Sequence, residues 1–487
     1  MTGSSAQEKW HQARLISASG IRGADEQEVR ATAALLSVMA AVPDYGRALL
    51  SRMGAPAGRL SSFTEVELKT PAGTKIRPDG ALVVERGSTR WVALVEVKTG
   101  TNELRREQVE VYLDAAREQG FDCVVTISNQ IAGNASGLPV DVDRRKVRRV
   151  SLTHLSWLEV LTEAAFQHEH RGVSDPDQAY MLGELIHYLE DHRSGAMAFE
   201  DMGAHWVSVR DGARNGTLRA SDASVQDVAA RWDQLLQYLS LDLGRSLGAP
   251  VREVLSRREK QDPSIRRGYL VNELTRAGRL DGVLRIPGAV GDVTLAASLR
   301  AKLVSASVNL GAPDSARAST RIRWLLRQLA DAPPDLRIEV SFHGTRQTVA
   351  ALLRDAREDE SLLLLPERGG EPRAFTLTLT LPMGDRRDNR RGSFISSMWA
   401  LLEVFYSSVV QSLRPWQPAV PKFRSQEPVA TVLTTGGERG EADGGLNRSL
   451  DSEGDGSDGT AVEDTAGIGG AKHAGEGSDP EPSHPLI

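Results

Sequence analysis

Residues 75–112, KIRPDGALVVERGSTRWVALVEVKTGTNELRREQVEVY, constrain this chain more than any other stretch. Residues 91–97 are almost all apolar and β-branched, the composition of a strand buried on both faces. Residues 81–84 form a second run of this kind, and Glu85-Arg86-Gly87-Ser88 is a hairpin connection between the two. A hairpin lays the start of its first strand beside the end of its second, so Asp79 is expected near Glu96. Strand alternation puts Glu96 and Lys98 on one face and Val97 on the other. Thr99-Gly100-Thr101-Asn102 ends the strand and offers Asn102 or Thr101 as the N-cap of a helix over 103–119. On that helix Gln108 and Tyr112 lie one turn apart on one face.

These residue types fit one chemistry. Two neighbouring carboxylates repel each other, and a hard divalent cation relieves the repulsion. Mg²⁺ favours carboxylate and phosphate oxygens and fills its octahedron with water. A metal held by Asp79 and Glu96 can lower a water's pKa and stabilise charge on a phosphate. Lys98 is placed to orient that water or neutralise the phosphate, and Gln108 to hydrogen-bond the nucleophile or a nucleic acid backbone.

The sequence resembles the PD-(D/E)XK nuclease superfamily, here Pro78-Asp79 followed by Glu96-Val97-Lys98. Gln108-x-x-x-Tyr112 resembles the QxxxY motif of its RecB-like branch. Glu28, in the helix EVRATAALLSVM, resembles the acid that the family's first core helix often brings to the site. The resemblance covers residues 25–165. It implies an α/β fold with a restriction-endonuclease-like α-β-β-β-α-β core, dependence on Mg²⁺ or Mn²⁺, and cleavage of DNA. Restriction-like defence or repair is typical employment for the family. The catalytic set it implies is Glu28, Asp79, Glu96, Lys98, Gln108 and Tyr112. One cysteine, Cys123, excludes the iron–sulfur members of the branch.

Pro43-Asp44 followed by Glu67-Leu68-Lys69 matches the same pattern, but Thr70-Pro71-Ala72-Gly73 follows it instead of a helix. Glu65, Glu67 and Lys69 read as the wet face of an outer strand over 62–70. Glu28 also has a plainer reading, an acid favoured by the helix dipole in the first turn. The stripe Val29, Ala33, Leu36 and Ala40 is expected to face the core of a helix over 26–41.

The 487 residues suggest two domains and a tail. We expect a loose arm over 1–24, the nuclease-like domain over 25–172, an α+β domain over 177–424 and a disordered acidic Gly/Ser/Asp/Glu tail over 425–487. Residues 437–487 carry 12 acids and 3 bases, a net −9 within a total of −6, so the remainder is +3. That mild basicity permits nucleic-acid binding. DNA is the expected partner, and nothing in the residues separates it from RNA. Arg144, Arg145, Lys146, Arg148 and Arg149 are a basic cluster before a strand over 147–152. It reads equally as a phosphate-backbone contact beside the site and as a solvated strand edge. The single cysteine and the absence of a signal-peptide core point to a reducing compartment, the cytoplasm by default.

In the second domain, residues 177–193 and 223–245 read as helices. Strands dominate 282–381, with helices expected at 319–330 and 346–356. No chemical constellation stands out there, so partner binding, oligomerisation or reading a substrate or signal are its expected roles. His168, Glu169, His170, His187 and His192 lack metal-ligand spacing. Residues 393–413 are long enough to span a membrane, but Glu403, Gln411 and six serines favour a buried helix and no membrane partner. A different class of function stays open: a nuclease fold that only binds nucleic acid or scaffolds a partner.

Overall fold

The computed structural model describes residues 14–417, apart from 70–72, 74, 131–137, 197–198, 200, 315–316 and 366–369. The expected acidic tail lies outside the described residues. The fold is mixed α/β. Its first half runs α1 (Ala24–Ala41), α2 (Pro43–Arg52), β1 (Arg59–Thr64), β2 (Leu68–Lys69), β3 (Lys75–Ile76), β4 (Gly80–Arg86), β5 (Thr89–Val97), α3 (Arg106–Gln119), β6 (Cys123–Ser128), β7 (Ser151–Ser156), α4 (Trp157–Ala165) and α5 (Pro176–Glu190). Five strands form one sheet in the order β1-β4-β5-β6-β7. β1, β4 and β5 pair antiparallel, while β5, β6 and β7 pair parallel. β5 and β6 are buried along most of their length, which explains their largely apolar sequence.

The β4–β5 hairpin closes between Arg86 and Thr89, where Gly87 takes the positive φ (60°) that a tight hairpin turn needs. Its register puts Gly80 opposite Val95, so Asp79 and Glu96 are the next residues in line at the open end. The expected outer strand over 62–70 stops at Thr64. Glu65 turns to φ 55°, and Leu68–Lys69 pair with β3 in a separate ribbon.

α1 buries Glu28, Ala31, Thr32, Leu35, Leu36, Val38 and Met39, whereas Val29 is 53% exposed. The expected stripe through Val29 and Ala40 is therefore one position off. Residues 14–23 belong to the folded body and are not a loose arm. Arg14 and the Leu15 amide both bond to the buried Glu184 of α5, at 3.0 and 2.8 Å, and Ala18 is buried.

α5 packs Leu182, Leu185, Tyr188 and Leu189 into the core shared by α1, α2, α4 and the sheet. The expected boundary at 172–177 thus falls inside this first core. α4 begins with a capping box: the Ser156 hydroxyl accepts the Glu159 amide, and Glu159 returns a bond to the Ser156 amide. Ser156→Ala should cost about 1 kcal/mol of stability. Chemical denaturation with fluorescence detection of the eight tryptophans would read it.

The second half runs α6 (Trp206–Asn215), α7 (Ala223–Leu247), β8 (Arg252–Glu253), α8 (Arg257–Gln261), α9 (Pro263–Ala277), β9 (Arg279–Arg285), β10 (Val293–Ser298), β11 (Leu303–Gly311), α10 (Ala318–Gln328), β12 (Arg337–Phe342), β13 (Thr348–Leu352), α11 (Leu353–Glu358), β14 (Pro372–Pro382) and α12 (Phe394–Ser408). Its seven strands form an antiparallel sheet in the order β13-β12-β14-β11-β10-β9-β8. Residues 348–352 are an edge strand paired with β12, not the start of the expected helix over 346–356.

α12 opens the one unbent helical segment (Phe394–Ser412) among the described residues that is long and apolar enough to cross a membrane; α1 and α2 pass the same test only as a pair bent by 112°. Phe394, Ile395, Met398, Leu401, Leu402 and Phe405 of α12 instead lie in the second core.

Candidate functional site

The expected catalytic set hangs from three elements: α1, the β4–β5 hairpin with its flanking residues, and α3. Asp79 precedes β4 and its Oδ2 accepts the Val97 amide at 2.7 Å, which ties the two ends of the hairpin together. Lys98 continues the strand past β5. Its amide donates to the Ile127 carbonyl at 2.8 Å, and its carbonyl accepts the Trp157 indole N–H at 2.9 Å. The turn beyond it is latched to the segment after α5: the Gly100 amide donates to the Gly195 carbonyl at 2.8 Å.

Glu96 is 1% exposed. Its Oε1 accepts two bonds, one from Gln108 Nε2 at 2.6 Å and one from Lys98 Nζ at 2.8 Å. Its Oε2 is buried and has no hydrogen-bond partner among the described residues. Gln108 also donates to the Tyr112 hydroxyl at 3.2 Å, and that hydroxyl reaches the Arg77 carbonyl at 3.4 Å. Lys98 Nζ makes a second ion pair with Glu28 Oε2 at 3.1 Å, and Asn102 Nδ2 donates to Glu28 Oε1 at 2.7 Å. Glu28 lies on the buried stripe of α1, beyond the first turn, so its setting is the site and not the helix end.

The electrostatics follow from this burial. Burial, then the neighbouring Asp79 carboxylate, push the Glu96 carboxyl up to about 7, against the pull of Lys98. Burial also raises Asp79 above the usual aspartate range, although the Val97 amide and Lys98 oppose it. Burial works to lower Lys98, yet its pairs with Glu96 and Glu28 outweigh that and hold it above the ordinary lysine range. Lys98 is thus a fixed cation. Burial and Glu96 push Tyr112 to about 12, so its hydroxyl keeps its proton.

The fold brings all six expected residues together: Glu28 from α1, Asp79, Glu96 and Lys98 from the hairpin, and Gln108 and Tyr112 from α3. The basic cluster lies elsewhere. Arg144, Arg145, Lys146, Arg148 and Arg149 precede β7, whose first residue, Ser151, is in register with Cys123. They therefore sit at the opposite end of the parallel strands from Glu96 and Lys98. Lys146 is committed to α3, pairing with Asp114 and with Glu110 (3.9 Å). The reading of this cluster as a contact beside the site does not hold.

Sequence reasoning missed Asn102 and Trp157. Asn102 stands where an N-cap was expected. The helix instead starts at Arg106 with no side-chain cap, and the amide serves Glu28.

A divalent metal is the group this donor set suits. The partnerless Glu96 Oε2 beside a second carboxylate, Asp79, is an unmet demand that a cation would fill. No group of three or more His, Cys, Asp or Glu side chains among the described residues is arranged to hold a metal. The third nearby acid, Glu28, is engaged by Lys98 and Asn102, which leaves a two-carboxylate seat of the kind Mg²⁺ completes with water and phosphate oxygens. No protein-family model matches the chain, and no curated protein matches it.

Proposed function

We propose that the protein is a Mg²⁺- or Mn²⁺-dependent nuclease that hydrolyses DNA phosphodiester bonds. The observation that carries this reading is the meeting of Asp79, Glu96 and Lys98 at one hairpin end with a buried carboxylate oxygen left over. The element order supports it. α1, the antiparallel β1, β4 and β5, then α3 and β6 follow the α-β-β-β-α-β order of the PD-(D/E)XK core.

In this reading Asp79 and Glu96 would hold the metal, which would acidify a water and neutralise charge on the phosphate when bound. Lys98 stays protonated between Glu96 and Glu28, so it acts as donor and positive charge and not as the base. Gln108 fixes the rotamer of Glu96 through Oε1, and Asn102 with Glu28 fixes the position of Lys98.

The test is incubation of the full chain with circular and linear DNA and Mg²⁺ or Mn²⁺. Nicked or linearised circles would define an endonuclease, and loss of linear DNA alone an exonuclease. Failure to cut DNA with either metal would remove this reading. The near-complete burial of Glu96 favours a second one, a module that binds nucleic acid without cutting it. Retention of DNA on a filter without any cleavage would select it.

A further inference from the structure

Arg144, Arg145, Arg148 and Arg149, before β7, are exposed and form no ion pair among the described residues. Lys146 in that run is spent on Asp114 and Glu110 of α3. α8 carries a second set. Arg257, Arg258 and Lys260 are exposed and equally unpaired, while Glu259 among them turns back to close a capping box with Ser256.

The fold brings the two sets together, although they lie far apart in sequence. β7 is an edge of the first sheet and β8 an edge of the second. His154 of β7 and Leu255, between β8 and α8, line one cavity. From that shared wall β7 runs back to the arginines, and the chain runs on into α8. Asp262, just past α8, feels the approach. Its carboxyl is held below the usual range first by bonds from Ser264, and Arg144 adds to the effect across the gap.

Three acids share these runs. Asp143 accepts the Arg145 amide at 2.9 Å, Glu259 the Ser256 amide at 2.8 Å and Asp262 the Ser264 amide at 2.9 Å. Seven unpaired cations against three acids leave a local excess of four, in a stretch of chain (1–436) that carries only +3 overall. Crowded like charges repel unless an anion meets them. Protection of a sheet edge accounts for charge beside β7, but not for cations on the helix α8. Guanidinium groups match phosphate oxygens in geometry as well as charge, so a repeating phosphate polymer suits this surface.

Glu96, Thr126 and His154 form one row across the parallel strands. Arg149 stands five residues back from His154 and two strands over from Glu96, which puts the arginines roughly 20 Å from the metal seat.

We propose that the arginines before β7 and the cations of α8 form one accessory surface that grips the phosphate backbone of DNA at a distance from the site. It rests on DNA as the partner named above and not on cleavage.

The experiment is fluorescence anisotropy of a labelled DNA duplex of about 30 base pairs, long enough to span both places. The full chain is titrated in EDTA at several NaCl concentrations. Arg148→Ala/Arg149→Ala and Arg257→Ala/Arg258→Ala each remove two cations from one segment. Arg346→Ala/Arg373→Ala removes two exposed arginines, one before β13 and one on β14, and controls for net charge. We expect each of the first two variants to weaken binding about tenfold and to lower the slope of log K against log salt by about two, with the control matching wild type. Melting curves confirm folding, which exposed substitutions rarely disturb. A wild type without affinity for DNA at low salt would overturn the proposal, and so would a loss in the control equal to that in the other two. Polyglutamate that displaces the duplex as well as unlabelled DNA of equal charge would assign the surface to an acidic protein instead. Cleavage is scored separately with Mg²⁺. A chain that binds DNA through this surface and cuts nothing keeps the proposal and loses the nuclease reading. One that cuts DNA while both patch variants bind like wild type does the reverse.

Discussion

Glu96→Gln should abolish metal-dependent DNA cleavage, lowering the rate by about 10³-fold or more, and Lys98→Met should lower it by about 10²–10³-fold. Both substitutions keep the side-chain length, so packing is preserved. Glu96→Gln removes half of the metal seat and replaces Oε2 with an uncharged group. Lys98→Met removes the one cation held against both Glu96 and Glu28, at 2.8 and 3.1 Å. The two effects differ in kind. Excess Mn²⁺ should partly restore a weakened metal seat, but no metal concentration should replace the lysine's charge. Rates of circle nicking across a metal titration, with melting curves to confirm folding, would check this. A Glu96→Gln protein that still cuts within tenfold of wild type would sink the assignment of the site.

The second large effect is on stability, and its sign runs against intuition for a site residue. The Glu96 carboxyl sits near 7 in the folded chain and near 4.5 in the unfolded one. A carboxyl raised on folding binds its proton more tightly in the native state. Stability from this group is therefore greatest below about 4.5 and is lost as pH rises through about 7. The penalty at pH 8 without metal is on the order of 3 kcal/mol, reduced to the extent that Asp79 shares the proton. Glu96→Gln escapes it. The variant should melt several degrees above wild type at pH 8 in a chelator and match it near pH 5. Saturating Mg²⁺ should close the gap at pH 8, because a ligand that binds only the folded wild type stabilises it. Thermal melts of both proteins at the two pH values, with and without metal, give the result. A wild type that is the more stable of the two at pH 8 without metal would contradict the burial argument.

Much of the site was legible because it is local. The hairpin needed only Gly87 and two flanking β-branched runs. The closeness of Asp79 to Glu96 then followed from antiparallel geometry, and the pairing of Gln108 with Tyr112 from helical spacing.

What was not legible depends on partners far along the chain. Apolar periodicity put Val29 inside and left Glu28 open to a helix-dipole reading. In the fold Val29 is exposed and Glu28 is buried, because Lys98 and Asn102 compensate its charge. Asn102 had the chemistry of an N-cap, and its use on Glu28 rests on a bond across 74 positions. Thr348–Leu352 has helix-forming alanines and leucine beside it, but hydrogen bonds from β12 hold it extended. The arginines before β7 lead into a strand of the same sheet as the candidate site. The direction of a parallel strand carries them to the far end of the sheet.

The latch between Gly100 and Gly195 has a consequence for synthesis of the chain. Glu28 and Lys98 lie 70 residues apart, and the turn beside Lys98 is held by a carbonyl nearly a hundred residues further on. Domains fold as units during translation, N-terminal part first. A growing polypeptide that has not yet released residue 195 from the ribosome lacks this clasp and the α5 wall of the first core. The hairpin can form on emergence, but the assembled site waits for the helix that ends at Glu190 to dock. If the site cuts DNA as proposed, that activity is thereby withheld until Gly195 has emerged.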